Sequence, residues 1–211
     1  MRNRVITCGA VALIAVALVG CGSAQGRETP LTQAYDQATQ TPGQGSKPRI
    51  GAIDPAVLAQ LIHQKVNAVR RANGLAPLGW NGALVAIATG HSRDMQQRGY
   101  FAHVSPSGED FASRYRRGGY ECRVPAGPGR FLLGGENLAQ VQQVAQWLVW
   151  EDGRKEPDQI RSAEELAEVT VTGWWNSPPH KQNLLRPEWL SQAIGVVVTA
   201  DGGVWVTQNF C

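Results

Sequence analysis

The C-terminal end of the chain predicts an antiparallel β-hairpin. Two runs rich in β-branched and aromatic residues, 194–199 and 204–210, flank the turn sequence Asp201-Gly202-Gly203. A fold built only of helices is therefore excluded. Because helical patterns precede this hairpin, the order of elements favours an α+β fold over a doubly wound parallel sheet.

Two amphipathic helices are predicted upstream. Residues 54–74 begin with Asp-Pro, which is typical of a helix start, and end with Asn-Gly, with an apolar stripe between them. A second apolar stripe with helical spacing follows Asn81 and ends at Gly99, which predicts the second helix. His91 lies on the apolar face of this second helix and His63 beside the first stripe, so we interpret both as core or boundary residues.

Later segments are less regular. Residues 111–117 predict a short helix, and a glycine-rich loop follows. We interpret the arginines of this region, Arg114 among them, as a solvated basic face. Residues 164–175 predict another helix, with Leu166, Val169 and Trp174 facing inward.

The first fifty residues predict an export signal and a linker. A charged start and an apolar run of about 15 residues, too short to span a bilayer, are typical of a secretory signal peptide over 1–20. The sequence Leu-Val-Gly-Cys up to Cys21 resembles a bacterial lipobox, whose cysteine carries the lipid. An ordinary signal peptide and an uncleaved anchor helix remain alternatives.

Residues 21–50 are polar and predict a disordered tether that reaches roughly 30 Å. We therefore expect three parts: the signal peptide 1–20, the tether 21–50 and a folded domain over 51–211. The expected location is the outer face of the cytoplasmic membrane, where acyl chains (palmitate among them) on Cys21 make the membrane a partner. We expect a monomer.

The net charge and the cysteine content limit which partners and cross-links are expected. The formal net charge is only +3, and two of the cations lie in the predicted signal peptide, so nucleic acid is not an expected partner. Outside the signal peptide and Cys21, the remaining cysteines are Cys122 and Cys211. In an oxidising compartment we expect them to form a disulfide, with two buried free thiols or a free C-terminal cysteine as alternatives.

Three residues lie in irregular, proline- or glycine-flanked chain and are the candidate functional groups. His103 precedes Ser105-Pro106, His180 follows Pro178-Pro179, and Glu136 follows two glycines. Histidine in a rigid loop is suited to act as a ligand or a base, and two His and one Glu can hold a divalent metal. From spacing alone, scattered polar loop residues are the stronger alternative.

Several motifs in order resemble the CAP superfamily (cysteine-rich secretory protein, antigen 5 and pathogenesis-related proteins; the SCP domain). The resemblance runs from about residue 54 to residue 210. The motifs are Asn67-x-x-Arg70-x-x-Asn73-Gly74-Leu75, Tyr100-Phe101-x-His103-x-Ser105-Pro106, Gly135-Glu136-Asn137-Leu138-Ala139, Trp174-x-x-Ser177-Pro178-x-His180-x-x-Asn183, and Val204-Trp205-Val206-Thr207-Gln208-x-Phe210.

The resemblance implies an α-β-α sandwich with a central antiparallel sheet flanked by helices. It also implies a cleft in which His103, Glu136 and His180 converge and take up a divalent metal, with zinc the first choice. The family's fourth polar position, a second acid, corresponds here to Ser177, so one of the four polar residues is not an acid in this chain. Glu165 and Glu168 are the acids nearest in sequence to replace it.

Three functions are consistent with this resemblance. The first is a binding module for an envelope or extracellular ligand, which for this family includes sterol-like lipids. The second is a metal-dependent, peptidase-like hydrolase with Glu136 as the general base. The third is a purely structural cleft, in which His–Glu hydrogen bonds hold two loops together. The residues favour binding over catalysis, because no nucleophile is marked, and leave the ligand unspecified.

Overall fold

The computed structural model describes residues 5–7 and 49–211. Cys21, the predicted tether up to residue 48 and most of the predicted signal peptide lie outside these residues. The described helices are α1 (Pro55–Ala72), α2 (Gly82–Arg98), α3 (Phe111–Arg117), α4 (Ala163–Asn176) and α5 (Pro178–Leu184). The described strands are β1 (Val5–Thr7), β2 (Gly79–Trp80), β3 (Val124–Pro125), β4 (Phe131–Leu132), β5 (Gly135–Gln142), β6 (Val144–Val149), β7 (Lys155–Ile160), β8 (Ser191–Val198) and β9 (Gly203–Phe210).

The central sheet has four strands in the order β2-β8-β9-β5. Strands β8, β9 and β5 pair antiparallel, whereas β2 pairs parallel with β8. The sheet is therefore mixed: its three long strands are antiparallel, as the resemblance implied, and the short β2 adds one parallel pair at the edge. A strand of two residues carries no alternating pattern, so nothing in the sequence distinguished β2 from a turn.

The predicted terminal hairpin is confirmed as β8 and β9. Gly202 has a left-handed backbone with a φ of 82° in the connecting turn. A glycine adopts this conformation without steric cost, which explains the Asp-Gly-Gly sequence.

Helices cover both faces of this sheet. On one face α2 lies so close to β8 that a Cβ at Gly195 would come within 2.1 Å of the backbone nitrogen of Thr89. Successive residues of a strand face opposite sides, and Gln192 contacts His63 of α1 on the other face. Helix α4 packs against α1 there. The result is the predicted α-β-α sandwich.

The predicted ends of α1 and α2 are confirmed. Asp54 caps α1 by accepting hydrogen bonds from the backbone of Ala56 and Val57, and Asn73 closes its other end. Gly99 ends α2 in the left-handed conformation. Asn81 precedes α2, but its side chain donates to Tyr120 and Ser191 instead of capping the helix.

The prediction that Val169 belongs to the inward face of α4 is wrong. Leu166 and Trp174 are buried, whereas Val169 is 37% exposed. The buried stripe continues through Thr170, and at 100° per residue Val169 lies off that stripe.

The segment between the glutamate and second histidine motifs contains a second hairpin. Strands β6 and β7 pair antiparallel, and β1 pairs with the other edge of β6. This three-stranded sheet is separate from the central one.

The disulfide between Cys122 and Cys211 is confirmed, with the two Cα atoms 5.6 Å apart. It ties the loop after α3 to the residue that follows β9.

Candidate functional site

Glu136 forms the centre of the candidate site, on the α2 face of β5. Only 5% of the residue is exposed. Its Oε1 accepts from His103 Nδ1 at 2.9 Å, and its Oε2 accepts from an Arg114 guanidinium nitrogen at 2.7 Å and from Asn209 Nδ2 at 3.1 Å. Both carboxylate oxygens are therefore engaged by groups of the protein itself.

Arg114 is buried, which corrects its interpretation as part of a solvated basic face. It is 3% exposed and forms the ion pair with Glu136. The same guanidinium donates to the backbone carbonyls of His103 and Glu109. Arg114 thus neutralises the buried carboxylate and also holds the two ends of the loop that carries His103. The arginine-rich composition of this region masked the one arginine that turns inward.

The charge state of Glu136 follows from these contacts. Burial alone would raise the pKa of this carboxyl group, but the hydrogen bond from His103 and the charge of Arg114 outweigh burial and lower the pKa. Glu136 is therefore ionised at neutral pH and accepts hydrogen bonds only. It follows that His103 carries its proton on Nδ1 and presents an unprotonated Nε2 when the ring is neutral.

The two histidines of the motifs do come together. The ring centroids of His103 and His180 lie 6.3 Å apart, and the His103 side chain is half exposed. Burial, with a smaller contribution from His103, lowers the pKa of His180, so this ring is neutral at pH 7. The sequence prediction that His103, Glu136 and His180 converge agrees with these positions.

Side chains from other elements hold His180 in place by hydrogen bonds to the backbone of α5. Asn137 Nδ2 donates to the carbonyl oxygen of His180 at 3.2 Å. Asn183 Nδ2, one turn further along α5, donates to the carbonyl of Glu136 at 3.1 Å. At the other end of the helix, the buried Arg70 donates to the carbonyls of Leu184 and Arg186.

The two glycines before Glu136 leave room for aromatic rings to approach the backbone closely. A Cβ at Gly134 would lie 2.6 Å from the ring of Tyr115, and one at Gly135 would lie 2.9 Å from the ring of Trp189. A side chain at either position would therefore collide with one of these rings.

The residues suggested to complete a four-ligand site lie elsewhere. Glu168 pairs with Lys65, and Glu165 closes the capping box of α4 with Ser162. Ser177 joins α4 to α5. Within residues 5–7 and 49–211, no three His, Cys, Asp or Glu side chains are grouped so that they could hold a metal ion.

His91 is a part of the site that sequence reasoning missed. It is buried, as predicted, but its Nε2 lies 3.9 Å from Glu136 Oε1 and 3.0 Å from the carbonyl oxygen of Ala102. Its Nδ1 is buried without a hydrogen-bond partner in the described part of the chain. A polar residue on an otherwise apolar helical face was the available signal.

The family follows from the comparison with known proteins. Residues 63–210 match the model of the cysteine-rich secretory protein family, CAP. Since this match covers more than half of the chain, the protein belongs to the CAP family.

Two curated relatives come from Bacillus subtilis. The uncharacterized membrane protein YlbC is 29% identical over 144 residues, which are 68% of this chain and 31% of YlbC. The uncharacterized protein YkwD is 26% identical over 189 residues, which are 87% of this chain and 60% of YkwD. The chain thus matches less than two thirds of the length of either relative.

Solved structures support the fold. An extracellular protein from Bacillus anthracis that contains an SCP domain has a TM-score of 0.50 and 28% identity, and the match covers 74% of this chain and 40% of that one. An outer surface protein from Borrelia burgdorferi has a TM-score of 0.54 at 17% identity, with 75% and 94% covered. In the part of this chain that the structure describes, no helix is long and apolar enough to cross a membrane.

Proposed function

We propose that this CAP domain is a ligand-binding module, and that His103 and His180 are the residues that contact the ligand. The observation that carries the proposal is the full engagement of the Glu136 carboxylate. Because Glu136 holds a proton of His103 on Nδ1, Nε2 is the nitrogen of that ring left for a ligand, and the neutral imidazole of His180 lies next to this ring. Two neighbouring imidazoles are suited to bind a transition metal or a hydrogen-bond donor.

Imidazole nitrogens suit zinc, copper, nickel and iron, and zinc is the ion that we propose for this pair. In this proposal His103 and His180 would bind zinc, and Glu136 would orient His103 instead of ligating. The bound ion would supply a Lewis acid with positions open for an external ligand. Two protein ligands, with Ser177 at the fourth polar position, would make this site weaker than a complete one.

The alternative of a metal-dependent hydrolase has less support from this geometry. A general base needs a pKa near the working pH and a free lone pair directed at its substrate. The pKa of Glu136 is lowered and both of its oxygens accept hydrogen bonds from the protein. We therefore favour binding over hydrolysis.

We also propose that the domain is attached to the outer face of the cytoplasmic membrane through a lipid on Cys21. Support comes from the lipobox-like sequence and from relatives described as a membrane protein and an extracellular protein. Cells given a palmitate analogue should label the wild-type protein and not Cys21→Ser. An unlabelled, freely secreted wild-type protein would contradict the anchor.

A zinc titration of the chelator-treated protein tests the binding site. Thermal unfolding should shift to higher temperature with zinc, by linkage, and the shift should vanish in His103→Ala and in His180→Ala. Gln182→Ala is the matched control, because Gln182 is an exposed residue of α5 and is not one of the two proposed ligands. A zinc shift that survives in both histidine variants would place the metal elsewhere. A lower melting temperature with no ligand effect at all would favour the structural role.

A further inference from the structure

A row of buried side-chain amides crosses the sheet on the face that α1 covers. Asn137 of β5, Gln208 of β9 and Gln192 of β8 are all fully buried. Asn137 Nδ2 donates to Gln208 Oε1 at 3.0 Å, and Gln208 Nε2 donates to Gln192 Oε1 at 2.5 Å. Gln192 Nε2 then contacts His63 Nδ1 at 2.9 Å. We call Asn137, Gln208 and Gln192 the amide row; it runs from the cleft to α1.

The cleft fixes the direction of this row. Asn137 Nδ2 points to the carbonyl oxygen of His180, and only the amino group of an amide can donate there. Asn137 Oδ1 correspondingly accepts from Asn183 Nδ2 at 2.9 Å. Each following amide must then place its oxygen toward the cleft and its nitrogen toward α1. Reversing any one of them would bring two oxygens or two amino groups face to face.

His63 closes the row at its far end. Gln192 presents an amino group to His63 Nδ1, which therefore faces a donor, as does Nε2 on the opposite side of the ring. On that side, 3.2 Å away, lies the amino group of Asn67, whose orientation is fixed by two hydrogen bonds with the backbone of Leu78. Both ring nitrogens therefore face donors, the edge of Trp80 lies against the ring, and burial lowers the pKa of His63.

Apolar side chains would fill this space without the desolvation cost of three buried amides. A fully connected polar row instead specifies one arrangement of the elements that it joins. The element it joins at the cleft is the start of α5, through the carbonyl of His180.

We propose that Gln208 and Gln192 are positioning residues for the cleft, which act with Asn137 to hold the backbone of His180 against β5. The inference rests on the proposed function in that it takes the cleft as the binding site. It assigns a role in binding to two residues that lie on the other face of the sheet from Glu136 and that touch neither imidazole of the cleft.

The test is nuclear magnetic resonance of the histidine rings, combined with zinc titration, in the full chain. The chain has four histidines, so each ring is assigned by one substitution. Gln208→Met keeps the length of the side chain and interrupts the row. Ile194→Val is the matched control, since Ile194 is equally buried in β8, two residues from Gln192.

In the wild type we expect His63 to be neutral at pH 7, because a protonated ring would direct an N–H at an amino group on each side. In Gln208→Met the Gln192 amide is free to turn its oxygen to His63 Nδ1, so an N–H at Nδ1 gains an acceptor and the pKa of His63 should rise. The His180 signals should shift, and zinc affinity should fall roughly ten- to a hundredfold, the usual effect of losing a group that orients a ligand. Ile194→Val should leave all of these unchanged.

A charged His63 ring in the wild type at pH 7 would overturn the inference without any variant, because the amide row presents an amino group to that ring. It would also be overturned if Gln208→Met left His63, His180 and zinc affinity as they are in Ile194→Val. If the wild type binds no zinc, the proposed function fails, and the signals of His63 and His180 alone decide the inference.

Discussion

Arg114 neutralises a carboxylate that the fold buries almost completely. Arg114→Met leaves Glu136 with a buried, uncompensated charge, so the free energy of unfolding should fall by about 3–5 kcal/mol. Arg117→Met is the control, because Arg117 pairs with Glu109 at the surface and its loss should cost at most about 1 kcal/mol. Urea unfolding measures both, and similar costs for the two variants would contradict the buried ion pair.

His91 makes stability depend on pH. Burial lowers its pKa, so near its unfolded value of about 6.5 the unfolded chain takes up a proton that the folded protein does not. Stability should therefore fall as the pH drops below that value. His63 and His180 contribute with the same sign.

His91→Gln tests this contribution. Glutamine still offers a donor for the carbonyl of Ala102 but cannot take up the proton. The decrease in unfolding free energy between about pH 7.5 and 5.5 should be smaller in this variant. An unchanged decrease would assign the pH dependence to other groups.

At the scale of single residues, the sequence predicted the cleft histidines and Glu136 through motifs but not their partners. Proline and glycine neighbours mark His103, His180 and Glu136. Arg114 and His91 carry no such mark, because their roles depend on which way a helix faces once it is packed. The resemblance named Glu136 as a ligand, whereas its contacts make it an anchor for His103.

At the scale of elements, one close approach sets the position of α2 on the sheet. Gly195→Ala would place a Cβ within 2.2 Å of the Ala88 backbone, so α2 must move, and we expect a loss of about 1–3 kcal/mol or more. Gly90→Ala, also at α2 but with open space around its Cβ, should instead stabilise by up to about 1 kcal/mol. Thermal unfolding distinguishes the signs, and a neutral Gly195→Ala would contradict the close packing.

Helices α1 to α4, including the short helix α3 at residues 111–117, and the terminal hairpin were predictable, whereas strand β2 and the β6–β7 hairpin were not. The stripes of α1 and α2 repeat over several turns, so the predicted helix ends lie within about two residues of the observed ones. The terminal hairpin is also found, but β8 begins at Ser191, before the predicted run that starts at residue 194. Strand β2, with two residues, and the β6–β7 hairpin, with its mixed and acidic composition, depend on tertiary pairing instead.

For the whole molecule, the disulfide joins parts that are distant in sequence. Cys122 and Cys211 are 89 residues apart, and closing a loop of this length stabilises by about 4–5 kcal/mol in the chain-entropy model. The double variant Cys122→Ser/Cys211→Ser should unfold at a correspondingly lower temperature, and the wild type under reducing conditions should match it. Equal stability with and without the bond would argue that the cross-link does not constrain the unfolded chain.

The central claim is that Glu136 fixes His103 as an anchor and so directs its free nitrogen to the ligand. The most direct measurement is the protonation site of the neutral His103 ring, from its ¹⁵N chemical shifts in the ligand-free protein. We predict that the neutral ring carries its proton on Nδ1 in the wild type, and that this form is no longer the dominant one in Glu136→Gln. A neutral His103 protonated on Nε2 in the wild type would contradict the claim, because Nε2 would then be unable to bind a metal.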